Sequence, residues 1–546
     1  MVPEHANMIA MPDDESIARS RVAALRSALE AAGSAPVRLI ETHISWVLLA
    51  DAFAYKLKKP VRLPFLDFTT LAGRRRFCAE ELRLNRRLAP SLYLDVVDVR
   101  DAPAGPAFGG DEGPVVDAAV RMRRFPDGAL WSEMLAAGTL APRHVDAMAR
   151  RLAEFHGKAE VAPPGSAFAS AAVHERVTRR LLDAMETGAG AARSDWPALR
   201  AWLEGQLHAL EPHWDARRHA GRVRECHGDL HLANVLQLDG EPTAFDGIEF
   251  DAELRWIDVL DDMAFLAMDL LAHGRRALAF RFINAYLEAS GDYDGLPGLR
   301  FHMVCRALVR SQVMGITAGQ GTRPAGHCDA GDYLSLAVAL CRDEDARLAI
   351  THGLPGSGKT FASQGLLEVA GAIRVRSDVE RKRLFGLGAL ETSQGRVAGG
   401  IYEESATRRT YGRLRDDARV ALGAGWRVIV DAAFLRRSER ATFAALAASL
   451  GVPFAIVDCR APLDVLRKRL ELRQAGGGDA SEADVKVLER LLAADEPLDD
   501  NERTGLVVVD ADRPTPADDW AQQWLAIGGS AGGPTVIPGQ GGQGCS

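Results

Sequence analysis

His227-Gly-Asp-Leu-His-Leu-Ala-Asn-Val-Leu236, followed by Phe245-Asp246-Gly-Ile-Glu249, decides the reading of the first half of the chain. The stretch sets out Asp229, then Asn234 five residues on, then Asp246 twelve residues further. Phosphoryl transfer from ATP needs these parts: a carboxylate beside the attacking hydroxyl, and oxygen ligands for Mg²⁺ on the phosphates. The apolar runs Val235–Leu238 and Thr243–Phe245 flank a turn at Asp239-Gly240. A short hairpin would therefore fix both metal-ligand candidates, Asn234 and Asp246. A chance His-Gly-Asp turn is the bland alternative, and it leaves three separately spaced polar positions unexplained.

At 546 residues the chain is too long for one hydrophobic core, and its length suggests about three or four compact units. Apolar residues make up 47% and charged residues 26%, as in soluble globular protein. The formal charge of −8 is small for this size and argues for no nucleic-acid partner. Seven cysteines are scattered without a C-x-x-C pair or metal-ligand spacing, a reduced pattern. The opening MVPEHANMIAMPDDE has early acids and no apolar core, unlike a signal peptide. No run of about eighteen apolar residues occurs, so no membrane partner is expected and the expected location is cytoplasmic.

Residues 1–34 read as a disordered start (1–15) and an amphipathic helix, Ser16–Ala32. Residues 35–120 read as a small antiparallel lobe with strands Val37–Ile40, Ser45–Ala50, Phe53–Lys58, Leu92–Val99 and Val115–Met122. The Pro/Gly-rich 101–114 is expected to be a loop. Alternation puts Lys56 and Lys58 on one strand face. On the helix Arg74–Leu88, Glu81 falls on the apolar stripe of Phe77, Leu84 and Leu88, so it wants a buried cation. Lys56 is the obvious partner, in the place of a phosphate anchor. No G-x-G-x-x-G loop precedes it; Thr42-His-Ile-Ser45 stands where phosphates would be covered. Residues 121–341 read as a helical lobe holding the Asp229 loop, with one long helix, Asp195–Ala220, leading into it. Asp258 and Asp262 read as helix-start and loop-bracing carboxylates rather than metal ligands, and His156 as a packing residue.

Residues 346–527 open with the buried-strand pattern Arg347–His352, then Gly353-Leu-Pro-Gly-Ser-Gly-Lys-Thr360, then a helix. This is G-x-x-x-x-G-K-T in strand–loop–helix context. The amides of Gly353, Gly356, Ser357 and Gly358 would cradle phosphate, Lys359 would reach the β- and γ-phosphates, and the Thr360 hydroxyl would ligate Mg²⁺. Strands and helices then alternate, as a parallel sheet requires. Asp431, ending an apolar strand, resembles a Walker-B carboxylate. Asp378 and Arg381 are candidates for the acceptor, although Asp378 could equally cap the helix it precedes. Arg467, Arg469 and Arg473 would close over the nucleotide from one helix. Residues 528–546, rich in glycine, are expected to be a disordered tail.

Over roughly residues 35–525 the chain resembles a bacterial two-domain family. In it, an aminoglycoside phosphotransferase- and choline kinase-like domain is fused to a small P-loop kinase domain of gluconate kinase, polynucleotide kinase or zeta-toxin type. Tyr55-Lys-Leu-Lys-Lys-Pro60, Phe65-Leu-Asp-Phe68, Asn85-Arg-Arg-Leu88 and His227–Asn234 carry the likeness in the first half. Gly353–Thr360, Ser377-Asp378 and Val430-Asp431 carry it in the second. The resemblance implies Asp229 as catalytic base, Asn234 and Asp246 as Mg²⁺ ligands and Lys56 as phosphate anchor. The expected fold is an α+β bilobal protein-kinase-like domain followed by an α/β P-loop NTPase domain with a parallel sheet. The expected function is an ATP- and Mg²⁺-dependent phosphotransferase with two nucleotide sites and small hydroxyl-bearing acceptors: a sugar, aminosugar, nucleoside or amino alcohol. The alternatives are an ATP-gated regulator in which one half controls the other, and a toxin-like nucleotide-sugar kinase. Oligomeric state is not legible.

Overall fold

The computed structural model describes residues 12–528 except 34, 64–65, 189, 191–192, 320–329, 390, 392–402, 477–480, 482–484 and 511–514. The expected tail thus lies almost wholly outside the described residues. The first helix runs Pro12–Ala32, four residues longer than the apolar pattern suggests. Proline fits a first helical turn, and Asp14 and Glu15 complement the dipole there.

Six antiparallel strands form the first sheet, in the order Arg38–Glu41, Ser45–Leu49, Phe53–Lys58, Val115–Arg123, Tyr93–Ala102, Gly105–Phe108. The last of these corrects the expected loop at 101–114. Gly105–Phe108 pairs back on Val99–Ala102, and the turn glycines that suggested a loop join these strands. Alternation along Phe53–Lys58 sorts the two faces. Tyr55 and Leu57 pack with Ala18, Val22 and Leu25 of the first helix. Lys56 and Lys58 face the helix Leu71–Asn85, whose N-cap Thr70 accepts a hydrogen bond from the Gly73 amide.

The helical lobe is built around Val259–Ala272, where nearly every residue is buried. The expected helix 195–220 is two, Trp196–Ala209 and Glu211–His219, broken where Pro212 begins a new first turn. Trp256–Asp258, expected as the start of a helix, is instead a strand paired with Val223–Glu225. Asp258 then caps the following helix through the Leu260 amide and pairs with Arg217.

His174 stacks on Trp214 with ring centroids 4.2 Å apart, and its Nε2 has no hydrogen-bond partner. Burial pushes its pKa down from 6.5 to about 3. Below pH 6.5 the unfolded chain takes up a proton that the folded one refuses, so this residue makes stability fall between pH 6.5 and 3. His174→Phe should therefore stabilise the fold more at pH 5 than at pH 7.5, by about 2 kcal/mol, in parallel urea titrations. Equal gains at both pH values would contradict this.

The second sheet is five-stranded and parallel, in the order Ile373–Arg376, Arg427–Asp431, Arg347–His352, Phe454–Arg460, Leu506–Asp510. Its edge strand Ile373–Arg376 is covered by the helix Arg276–Ser290 of the first half. Asn284 accepts from the Arg374 amide at 2.6 Å and donates to the Ala372 carbonyl at 2.8 Å, while the Tyr293 hydroxyl donates to the Arg374 carbonyl at 3.2 Å. These bonds satisfy backbone groups that an exposed edge would offer to another chain. Trp426 Nε1 donates to Leu296 O, and Arg281 joins Asp146 to Glu368. One hydrophobic core runs through both halves.

Candidate active sites

In the first half, the hairpin Val235–Leu238/Glu241–Ala244 forms as its turn residues dictate, with Asp239 and Gly240 at positive φ. Asn234 precedes its first strand and Asp246 follows its second, so both stand at the open end, where the Phe245 amide donates to the Asn234 carbonyl. Asn234 Nδ2 donates to the Asp229 backbone carbonyl (2.9 Å) and to Asp229 Oδ2 (3.1 Å). Asp246 adopts a left-handed φ of 62°. Its amide donates to the Tyr93 hydroxyl and the next amide, of Gly247, to Asn85 Oδ1. Such strain, held by surrounding bonds, is typical of a functional position.

Asp262 accepts from the amides of His227 (3.0 Å) and Gly228 (2.8 Å), and His156 Nε2 lies 3.0 Å from the same carboxylate. His156 also bonds the Tyr286 hydroxyl. His156, Cys226 and Asp262 are close enough to share a metal, but this bonding already commits the histidine and the carboxylate to bracing the loop. Asp269 accepts from the Leu232 amide. Gly228 has φ +85°, and a Cβ there would lie 2.5 Å from the Leu254 carbonyl oxygen. Gly228→Ala should cost about 2 kcal/mol or more from strain and clash together, read as a lowered denaturation midpoint. An unchanged midpoint would mean that the loop can relax.

The structure brings Lys56, Glu81 and Asp246 together. Lys56 Nζ lies 2.9 Å from Glu81 Oε1 and also pairs with Asp246. It adds what sequence reasoning missed: Lys58, fully buried, pairs with both Glu81 and Glu249. The shared strand face of the lysines was the available signal; Glu249 had none beyond its nearness to Asp246. Burial alone would raise Glu81, but Lys56 and Lys58 hold it down at about 2. Glu249, buried and beside Glu81, is pushed up. Lys56, despite burial, is raised well above the ordinary lysine value by Asp246 and Glu81. Burial likewise opposes the charge on Asp229, yet His231 and Arg310 outweigh it and hold this carboxyl below its usual range. Asp229 and Asp246 keep 37% and 42% of their side chains exposed, while the bracing residues are buried. Thr42 and Ser45 close the first hairpin on each other, Thr42 Oγ1 accepting from the Ser45 amide, so the Thr42 hydroxyl is committed to the turn.

In the second half, Gly353, Gly356 and Gly358 all have positive φ (141°, 84° and 96°). A Cβ at Gly353 would sit 2.5 Å from Cys459 O, so the loop closes tightly against the neighbouring strand. The helix Lys359–Ala370 starts at the end of this loop. Lys359 Nζ donates to the carbonyls of Gly353 and Leu354, both at 2.9 Å. A cavity of about 850 Å³ opens here, lined by Gly356 to Thr360, Asp378, Arg381, Asp431 and Arg469. Asp378 sits in the first turn of the helix Ser377–Leu384. Arg469 donates to Gly356 O at 3.0 Å and Arg381 to Thr407 Oγ1 at 3.1 Å. Arg467 instead pairs with Glu489 at the surface, a correction to the expectation that it closes over the nucleotide. The Arg473 side chain lies outside the described residues. Arg436 and Arg490 also line the cavity; Arg436 stands just ahead of the helix Arg437–Leu450 and Arg490 lies in the helix Val485–Leu492, so no local pattern singled them out.

Both donor sets suit a divalent cation. Asn234 uses its Nδ2 on Asp229 and keeps Oδ1 as an acceptor, and Asp246 adds a carboxylate. Thr360 and Asp431 supply a hydroxyl and a carboxylate. These are hard oxygen ligands, matching Mg²⁺ rather than a thiophilic metal.

Fold and candidate sites define a chain that joins a bilobal domain, an antiparallel sheet on a helical lobe, to an α/β domain with a P-loop and a parallel sheet. A family model described as an AAA domain matches residues 348–498. The uncharacterized protein Rv2004c of Mycobacterium tuberculosis strain H37Rv is 33% identical over 448 residues, 81% of this chain and 87% of that relative. Mb2027c of Mycobacterium bovis matches to the same extent. This chain belongs to their family. Among solved structures, a choline/ethanolamine kinase family protein from Mesorhizobium loti aligns over 60% of this chain and 93% of its own, at 15% identity and a TM-score of 0.31. A gluconokinase from Sinorhizobium meliloti 1021 aligns over 33% of this chain and 90% of its own, at 19% identity and a TM-score of 0.24. Among the described residues no helix is long and apolar enough to cross a membrane.

Proposed function

We propose that the chain is an ATP- and Mg²⁺-dependent phosphotransferase with two nucleotide sites, acting on small hydroxyl-bearing metabolites in the cytoplasm. The observation that carries this reading is the cluster of Lys56, Glu81 and Asp246, drawn from positions up to 190 residues apart, joined to the Asp229–Asn234 pair through the Phe245 amide, which donates to the Asn234 carbonyl. At the first site Asp229, ionised and hydrogen-bonded to Asn234, orients the acceptor hydroxyl and receives its proton as the phosphoryl group leaves ATP. Lys56 anchors the phosphates and is held in place by Glu81, which Lys58 in turn holds from its other side. At the second, the Gly353–Gly358 amides and Lys359 hold the phosphates, Arg469 covers them, and Asp378 and Arg381 meet the acceptor. Mg²⁺, held by Asn234 and Asp246 or by Thr360 and Asp431, would neutralise charge on the transferred group.

The continuous core between the halves supports a second reading, in which one half regulates the other. Labelled ATP incubated with fractionated cell extract separates the two. Under the two-kinase reading, Asp229→Ala and Lys359→Ala each lose a different labelled product. Under the regulatory one, Lys359→Ala loses everything and Asp229→Ala alters only the rate. No acceptor-dependent product with either site intact would sink the phosphotransferase reading.

A further inference from the structure

Phe361 follows the Gly353–Thr360 motif directly, and it is 75% exposed. A single exposed apolar ring on a surface calls for no explanation. This one stands in the wall of the P-loop cavity, on a backing that holds it there. One turn further along its helix, Gly365 lets the helix Ala517–Ala526 come close: a Cβ at Gly365 would lie 2.8 Å from Ala517 Cβ. That approach brings Trp520 edge to face against Phe361, with ring centroids 6.2 Å apart and planes at 78°. Trp520 itself is buried, and its indole N–H donates to Thr515 Oγ1 at 2.5 Å. A fixed indole thus supports the phenyl ring from one side and leaves the rest of it open.

The sheet order separates two arms of this cavity. The P-loop leaves the middle strand, Asp378 follows the strand at one edge, and Val509 belongs to the strand at the other. Asp378 and Arg381 make the first arm polar, while Phe361, Val509, Thr515 and Trp520 line the second. We infer that Phe361 is the specificity-determining residue of the second nucleotide site: the base stacks on the open face of its ring, with Trp520 as the support. This inference rests on the proposed reading of Gly353–Thr360 as a nucleotide site. With phosphates on the loop amides and the acceptor beside Asp378, the arm left to the base is the aromatic one. Bases stack favourably on an aromatic ring whatever their edges carry, and a purine covers more of the ring than a pyrimidine. The loop then recognises the phosphates, and Phe361 supplies a preference for a purine nucleotide.

The test compares two ligands on the full-length protein by calorimetric titration: MgATP, and magnesium tripolyphosphate, which has the phosphates and no base. Lys359→Ala defines the signal that belongs to the P-loop. Phe361→Ala should raise the dissociation constant for ATP by about tenfold and leave that for tripolyphosphate within about twofold of wild type. Phe361→Trp, which keeps an aromatic face, should hold ATP within about threefold of wild type. CTP in place of ATP should bind wild type more weakly, and Phe361→Ala should narrow that gap. An ATP affinity unchanged in Phe361→Ala overturns the inference. So does an equal loss for ATP and tripolyphosphate, which would make the ring a prop for the loop and not a platform for the base. Should Phe361→Ala fail to fold, Phe361→Leu carries the test: it keeps apolar bulk without an aromatic face, so ATP should weaken and tripolyphosphate should not. Loss of neither in that variant overturns the proposal. Wild type without Lys359-dependent binding of either ligand would instead overturn the nucleotide reading itself.

Discussion

Lys359→Ala is expected to weaken ATP binding at the second site by about 100-fold or more and to remove its labelled product. The Lys359 ammonium is held across the loop by the carbonyls of Gly353 and Leu354, directly above the amides that would receive phosphate. Each charge-assisted hydrogen bond from such an ammonium contributes roughly 1.5–3 kcal/mol. Removing two such bonds to phosphate at once therefore accounts for a loss of about 10²–10⁴-fold. The alanine variant should keep its fold, because Lys359 opens its helix at the rim of a cavity and not in the core. Calorimetric titration with MgATP reads the affinity, and a thermal midpoint reads the fold. Affinity within about threefold of wild type would mean that the loop does not bind nucleotide through this residue.

The contrast between what was legible and what was not follows from the range of the interactions. The phosphate loop of the second candidate site could be read from eight consecutive residues, because glycines with positive φ, a lysine and a helix start are local features. The pairing of Lys56 with Glu81 was also legible, since strand alternation and helical spacing each place a side chain on a face. The fold class followed from the same periodicities, and the structure agrees. Lys58 with Glu249 escaped because the two are 191 residues apart and nothing in either segment points to the other. The strand Gly105–Phe108 was hidden by composition, since Gly and Pro mark turns whether or not the residues between them pair. Arg436 and Arg490 reach the cavity from the start of one helix and the body of another, whose packing no periodicity specifies.

Asp229→Asn should lower transfer at the first site by about 10³-fold in turnover while leaving the KM for ATP within about twofold of wild type. The split follows from the geometry. On the proposed reading the phosphates are anchored by Lys56, which pairs with Glu81 and Asp246. Asp229 is tied to Asn234 and His231 on the acceptor side. Asparagine preserves the shape and can still meet Asn234, but it offers no charge to orient the hydroxyl and no base for its proton. The pH profile supplies a second check. His231 and Arg310 hold the Asp229 carboxyl below its ordinary value, so it stays ionised through the whole physiological range. Wild-type turnover should then show no acidic fall attributable to Asp229 between about pH 5 and 8. By linkage, a depressed carboxyl lends stability above its unfolded pKa and loses it only as pH falls through the folded value. The stability cost of Asp229→Asn should therefore be present at pH 7 and shrink in strong acid. A first-site product that survives Asp229→Asn at more than about a tenth of the wild-type rate would move the chemistry to another residue. If that product instead vanishes in Lys359→Ala as well, the two sites work as one unit, and the shared core between the halves is the route by which they do so.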